Sequence, residues 1–255
     1  MALGVIALAT LARLVAGASI GLSVDESYAV SVARRLTLSY FDHPPLSFWL
    51  PTVVARLTGS KAAIVLRLPF IALFAGTSWL MFRLTARLFG ERAGLLAVLL
   101  LSVSPVFTFS TGGWVLPDGP LMFCMLAAAL CLERVLLPGD AAAAGSPAIA
   151  GSAGNAGSGT GDVATSGSAL IASHAASAWR WWLGAGLFTG LAMLSKYHGV
   201  FVAFGAFLYI LTRRDARGWL RRPQPYVAVA LALLIFSPAL IWNVQHDWVS
   251  LRFQG

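Results

Sequence analysis

Long apolar stretches, separated by short charged connections, limit what this chain can fold into more than anything else in it. They fall near residues 2–22, 64–88, 93–111, 119–137, 181–195, 199–212 and 226–242. A helix needs about 20 mostly apolar residues to cross a bilayer, and most of these stretches have that length. Composition agrees. The 255 residues are 58% hydrophobic and 11% charged, with mean hydropathy +0.78, whereas a soluble domain is about 25% charged. The expected fold is therefore an all-α integral membrane bundle forming one transmembrane domain, residues 1–255. The net charge of +8 is not a nucleic-acid footprint here, because Lys and Arg of membrane proteins collect in cytoplasmic loops and set orientation. No nucleic-acid partner is expected; the bilayer is.

The first stretch contains Arg13, which is costly at membrane depth and should face the bundle interior or snorkel. Its end, Ala16-Gly17-Ala18, resembles a signal-peptidase site, yet a basic leader is missing and the run is long enough to span. A retained helix is expected. Cys124 and Cys131 lie seven apart in one apolar run, where they read as small packing residues.

The loop 23–63 is the longest polar connection outside the linker. Ser23 and Glu26 have capping-box spacing, which predicts a helix from Asp25 to about Leu38. Pro44-Pro45 suits the first turn of a second helix. Its apolar side chains, ending in Arg56 and Lys61, predict a short interfacial helix lying flat on the membrane. Residues 138–178 are dominated by Ala, Gly, Ser and Thr and read as a flexible linker. The run from Trp181 to Thr212 is too long for one upright span, and its single polar cluster, Ser195-Lys196-Tyr197-His198, is the natural break.

Arginine sets the orientation. Loops 83–92, 133–180 and 213–222 fall on one side by span count and are expected to be cytoplasmic, with the N-terminus. Asp25/Glu26, Asp42/His43, Asp118, Lys196/His198 and His246/Asp247 then share the opposite, exoplasmic side. Each has a plain reading as well as a chemical one. Asp25 is either a helix-end acid or a general base. Glu26 has the capping role at hand. Asp42 and His43 could cap the next helix or hold a divalent metal, although metal sites need three or four ligands. Asp118 could be an N-cap or a site carboxylate. Lys196 could snorkel or meet a phosphate. A transporter is the competing reading; it would need paired broken helices, and one break with no repeat is visible.

Several motifs occur in order: Asp25-Glu26-Ser27-Tyr28, Tyr40-Phe41-Asp42-His43-Pro44-Pro45-Leu46, Arg67-Leu68-Pro69, Pro117-Asp118-Gly119-Pro120-Leu121, Leu194-Ser195-Lys196-Tyr197 and Trp242-Asn243-Val244-Gln245-His246. Together they resemble the bacterial branch of the protein O-mannosyltransferase and aminoarabinose-transferase family of GT-C membrane glycosyltransferases. The resemblance covers nearly all of the chain except 138–178. It implies a polyprenyl-phosphate sugar as donor, an unknown exoplasmic acceptor, and a bacterial inner membrane location with the active site on the periplasmic or extracellular face. It also implies Asp25 and Asp118 as catalytic carboxylates. Asp42, His43 and Lys196 are implied to lie near the donor phosphate or a metal, with a divalent metal as a candidate cofactor at Asp42 and His43; Glu26, Tyr28 and His246 are read beside them as further substrate-binding residues. Members of that family are longer, which implies that this chain covers an N-terminal part.

Overall fold

The computed structural model describes residues 1–137 and 162–254, with backbone only at 109 and 162–177. The described residues form helices α1 (Ala2–Ser19), α2 (Val24–Val32), α3 (Leu46–Thr58), α4 (Ala63–Phe89), α5 (Glu91–Val103), α6 (Pro105–Ser110), α7 (Asp118–Leu136), α8 (Asp162–Ser195), α9 (Val200–Thr212), α10 (Pro223–Gln245) and α11 (Val249–Gln254). No strand occurs among them. Among the described residues four helices, α1, α4, α7 and α10, are long and apolar enough to cross a membrane. This is the expected all-α membrane bundle, with short helices inserted between α1 and α4.

Several boundaries differ from the sequence expectation, each for a local reason. The helix expected from Asp25 to about Leu38 runs from Val24 and stops at Val32. Beyond it, Thr52 Oγ1 donates to Ala33 O, the carbonyl that a helix running to Leu38 would give to the Thr37 N–H. Tyr40 OH donates to Arg35 O and Trp49 Nε1 to Thr37 O, which holds the stretch that follows in its non-helical course. The stretch 93–111 is two helices, because Ser104 is extended (ψ 121°) and Pro105 starts α6; a residue before proline avoids the helical region. Helix α3 does not simply lie on the surface. Phe48 and Pro51 are buried, while Val53 and Leu57 face outward. Helix α8 begins at Asp162, inside the segment expected to be a linker; residues 138–161 of that segment lie outside the described residues.

Two ends of the bundle differ in charge. At one, Arg87 makes paired hydrogen bonds of 2.9 and 2.8 Å to Glu133. There Arg134 also sits over Trp181, and Trp182 packs edge-on against Trp219 of the arginine-rich 213–222 loop. This joins the ends of α4 and α7 to α8 and to the loop before α10. The opposite end carries the candidate site. Arg13 faces inward: it lies 4.0 Å over the Phe74 ring and donates to Ala9 O, Ser102 O and Thr108 Oγ1.

Helices α8 and α10 meet backbone to backbone. A methyl group placed on Gly190 would lie 2.8 Å from Ala232 O, and one on Gly186 would overlap Ala228 O. Small residues allow such contact between membrane helices. Cys131 packs its sulfur against Gly184, and both cysteines are buried and free.

Candidate functional site

The site grows from a buried ion pair that holds three segments together. Ser23 and Glu26 form a complete capping box at the start of α2. The Glu26 carboxylate is fully buried and also takes two hydrogen bonds from Arg67 of α4, at 2.7 and 2.6 Å. Its Oε1 accepts a further bond, 3.1 Å, from Val115 N–H. Arg67 spends its remaining donors on Gly17 O, Ile20 O and Gly21 O, the carbonyls at the end of α1. Burial alone would push the Glu26 carboxyl up; the bonds from Arg67 and from the Ser23 and Val115 backbone outweigh it and hold the group below its ordinary range. Glu26, read from sequence as substrate-binding, thus has no oxygen open to a ligand. It fixes α2, which carries Asp25 and Tyr28, against the loop that leads to Asp118.

The second element is the break between α8 and α9. Lys196 is extended (φ −154°, ψ 140°) and one 3-10 turn, Tyr197–Gly199, follows it. Ser195 Oγ donates to Pro117 O at 2.6 Å, and Lys196 Nζ lies 2.9 Å from Asp118 Oδ1. Both side chains of this pair are partly open, 24% for Lys196 and 35% for Asp118. One of three ammonium donors is used. Asp118 is the carboxylate partner of Lys196; neither Asp25 nor Asp42 bonds to it.

The third element is the turn before α3. His43 Nδ1 lies 3.1 Å from Asp42 Oδ2, and the Tyr28 phenol stands near the same carboxylate. Burial raises the Asp42 carboxyl, but the hydrogen bond and charge of His43 bring it net below its ordinary range; burial and Asp42 together raise the Tyr28 phenol. The other oxygen, Asp42 Oδ1, is buried without a protein partner. Just downstream, Leu46 and Trp49 pack on the cluster of Leu194, Phe236 and Ala239, which Tyr197 also joins. That contact sets the Asp42 turn beside the Lys196 break. Asp25 stands exposed in the first turn of α2 and has no ion pair among the described residues.

The end of α10 closes this side. Asn243, fully buried, donates to Tyr197 OH at 3.1 Å and to Ala239 O, while its side-chain oxygen accepts from Leu251 N–H. Tyr197 OH shares a 2.6 Å hydrogen bond with Ser250. His246 is exposed, stacked on Trp242 with ring centres 4.0 Å apart, and bonded to Trp242 O. Among the described residues it makes no hydrogen bond to Lys196 or Asp42.

Residues 42–153 and 163–242 match the family described as dolichyl-phosphate-mannose-protein mannosyltransferase. The chain belongs to that family. A stretch of 67 residues, 26% of the chain, is 40% identical to the lipid A galacturonosyltransferase RgtD of Rhizobium johnstonii, of which it covers 14%. The fold is similar to that of ArnT from Cupriavidus metallidurans in the apo state, with TM-score 0.63 and 19% identity over 95% of this chain and 42% of that one. It is also similar to the S. cerevisiae protein O-mannosyltransferase Pmt1-Pmt2 complex bound to the sugar donor, with TM-score 0.53 and 19% identity over 96% of this chain and 34% of that one. The chain spans less than half the length of each relative. Its architecture is that of the GT-C membrane enzymes.

Within this family fold, Arg67, Tyr197 and Asn243 are the residues that reading the sequence for chemistry passed over. The signal existed for Arg67, an arginine inside an apolar run, and for Asn243, an amide near the end of one; both were read only as motif neighbours. A divalent metal at Asp42 and His43 is not supported by the donor set. No group of three His, Cys, Asp or Glu side chains gathers among the described residues, and a zinc site takes three or four protein ligands.

Proposed function

We propose that this chain forms a sugar-transfer site of a membrane glycosyltransferase that draws on a polyprenyl-phosphate sugar. The carrying observation is the Lys196–Asp118 pair, an ammonium fixed at a helix break by one carboxylate and left with free donors. The acceptor hydroxyl attacks the anomeric carbon, the bond from that carbon to the lipid phosphate oxygen breaks, and the polyprenyl phosphate leaves with the electron pair. Lys196 meets the leaving phosphate and offsets its growing charge. Asp118 holds Lys196 in place. Asp25, the unpaired carboxylate on α2, accepts the acceptor's proton. On this reading Tyr28, Asp42, His43 and His246 bind the sugar. The arginine-rich end faces the cytoplasm by the positive-inside rule, which puts this chemistry on the outer side of a bacterial inner membrane. The name of the Rhizobium relative supports a lipid or glycan acceptor at that surface.

The test is turnover of a radiolabelled polyprenyl-phosphate sugar by the full chain in liposomes. Asp25→Asn should abolish turnover with normal membrane insertion. Retention of activity within a few-fold would make Asp25 a helix-end acid and leave Asp118 as the base.

A further inference from the structure

A cavity of about 380 Å³ lies between α2, α3 and the start of α4, and none of its lining residues belongs to the Lys196–Asp118 site. Val30, Pro51 and Leu66 form part of its apolar lining, and Arg34, Arg56 and Lys61 also line it. The fold brings these three cations together in a definite way. Thr52 takes the carbonyl of Ala33 and so fixes the end of α2, immediately before Arg34. Arg56 sits in the last turn of α3. Gly59, with φ +67°, reverses the chain so that Lys61 returns to the same cavity. Val30 is five residues beyond Asp25, about 140° round α2 at 3.6 residues per turn, so the cavity opens on a different face from the candidate base.

None of the three cations has a carboxylate partner among the described residues. Helix α4 adds to their field. It begins at Ala63 with no side-chain cap and no acid in its first turn, so its positive dipole end is uncompensated. Three like charges around one cavity repel each other, and an anion shared among them turns that repulsion into attraction. The level in the membrane identifies the anion. Lys61 stands two residues before a span, and the outward surface of α3 presents Leu57 and Val53, 81% and 47% exposed. Apolar side chains beside a span are at home in lipid, which puts the cations at the height of the headgroups. Phosphate is the anion that lipids carry at that height, and arginine suits it through paired hydrogen bonds.

We propose that this cavity binds the phosphate of an anionic lipid, at a site separate from Lys196. The test uses the full chain in nonionic detergent with equal amounts of dioleoyl phosphatidic acid and dioleoyl phosphatidylcholine, read by native mass spectrometry without sugar donor. The wild type should retain phosphatidic acid preferentially. Arg34→Gln/Arg56→Gln should lose one equivalent, with affinity about tenfold weaker as expected for lost charge-assisted contacts; Arg92→Gln should not. Neither arginine side chain makes a hydrogen bond or ion pair among the described residues, and an unchanged melting temperature checks that the variant is intact; Lys61→Gln repeats the test with one change. Equal retention of both lipids, or an undiminished preference in the double variant, overturns the proposal. Displacement by inorganic phosphate with no preference between lipids makes this a free-phosphate site and overturns the lipid assignment. Loss on Lys196→Met alone puts the lipid phosphate at the other pair and likewise overturns it. Turnover plays no part in the readout, so it stands or falls apart from the transferase reading.

Discussion

Two acid–base pairs sit at the same end of the bundle and are built in opposite ways. Glu26–Arg67 is closed: both side chains are almost completely buried, the contact is bidentate, and both Glu26 oxygens and all three Arg67 nitrogens are bonded within the protein. Lys196–Asp118 is open, with one contact, partial exposure and spare donors. Charge type is the same; saturation differs. A saturated pair has nothing left to offer a ligand and serves as a joint. An unsaturated one can exchange a neighbour for a substrate group.

The most severe way to break this contrast is Arg67→Met. It leaves the Glu26 carboxylate buried without its cation and frees three carbonyls at the end of α1. The expected loss is about 3–5 kcal/mol, seen as a collapse of the detergent melting temperature. A melting point near wild type would mean that the pair is not the joint described. Lys196→Met should do the reverse. Turnover falls about a hundredfold, the scale of one lost charge-stabilising contact, with partial rescue by Lys196→Arg because a planar fork replaces a point charge. Stability should change by less than about 1 kcal/mol, as for other partly exposed pairs. Equal damage to folding and turnover would erase the distinction.

Acid sharpens it further. The folded Glu26 carboxyl is held below its ordinary value of 4.5. Its contribution is therefore present above that value and lost as pH falls through the lower, folded one. Melting temperature should be flat down to about the ordinary carboxylate range and drop below it, and Glu26→Gln should shallow that drop. The smallest effect is salt. Raising ionic strength shortens the Debye length from about 10 Å at 0.1 M to about 3 Å at 1 M. Donor affinity at Lys196 should weaken while the melting point set by Glu26–Arg67 stays put.

Local signals were readable in advance. Ser23 and Glu26 have the spacing of a capping box, and the box is there. Lys196 lies in the only polar cluster of a long apolar run, and the helix breaks at that residue. What was illegible is long-range. The capping carboxylate of Glu26 also serves an arginine 41 positions away, and no local pattern encodes that second duty. The early end of α2 and the course of the stretch after it depend on Thr52, Tyr40 and Trp49, whose approach is a product of the tertiary fold. The partner of Lys196 lies 78 positions away; counting spans put both on one side but could not choose among Asp25, Asp42 and Asp118. The break at Ser104-Pro105 was different, since a proline signals it locally.

Where α8 and α10 touch through Gly190 and Ala232, no layer of side chains separates the two backbones. Helices that pack through bulky residues can creep past one another by small rotamer changes. Bare backbones mesh like the teeth of a ratchet and can shift only by separating. Leu194 at the end of α8 and Phe236 on α10 are then clamped in fixed register, and so are Lys196 and Asn243 just beyond them. The α8–α10 contact therefore keeps the ammonium at a constant height in the membrane.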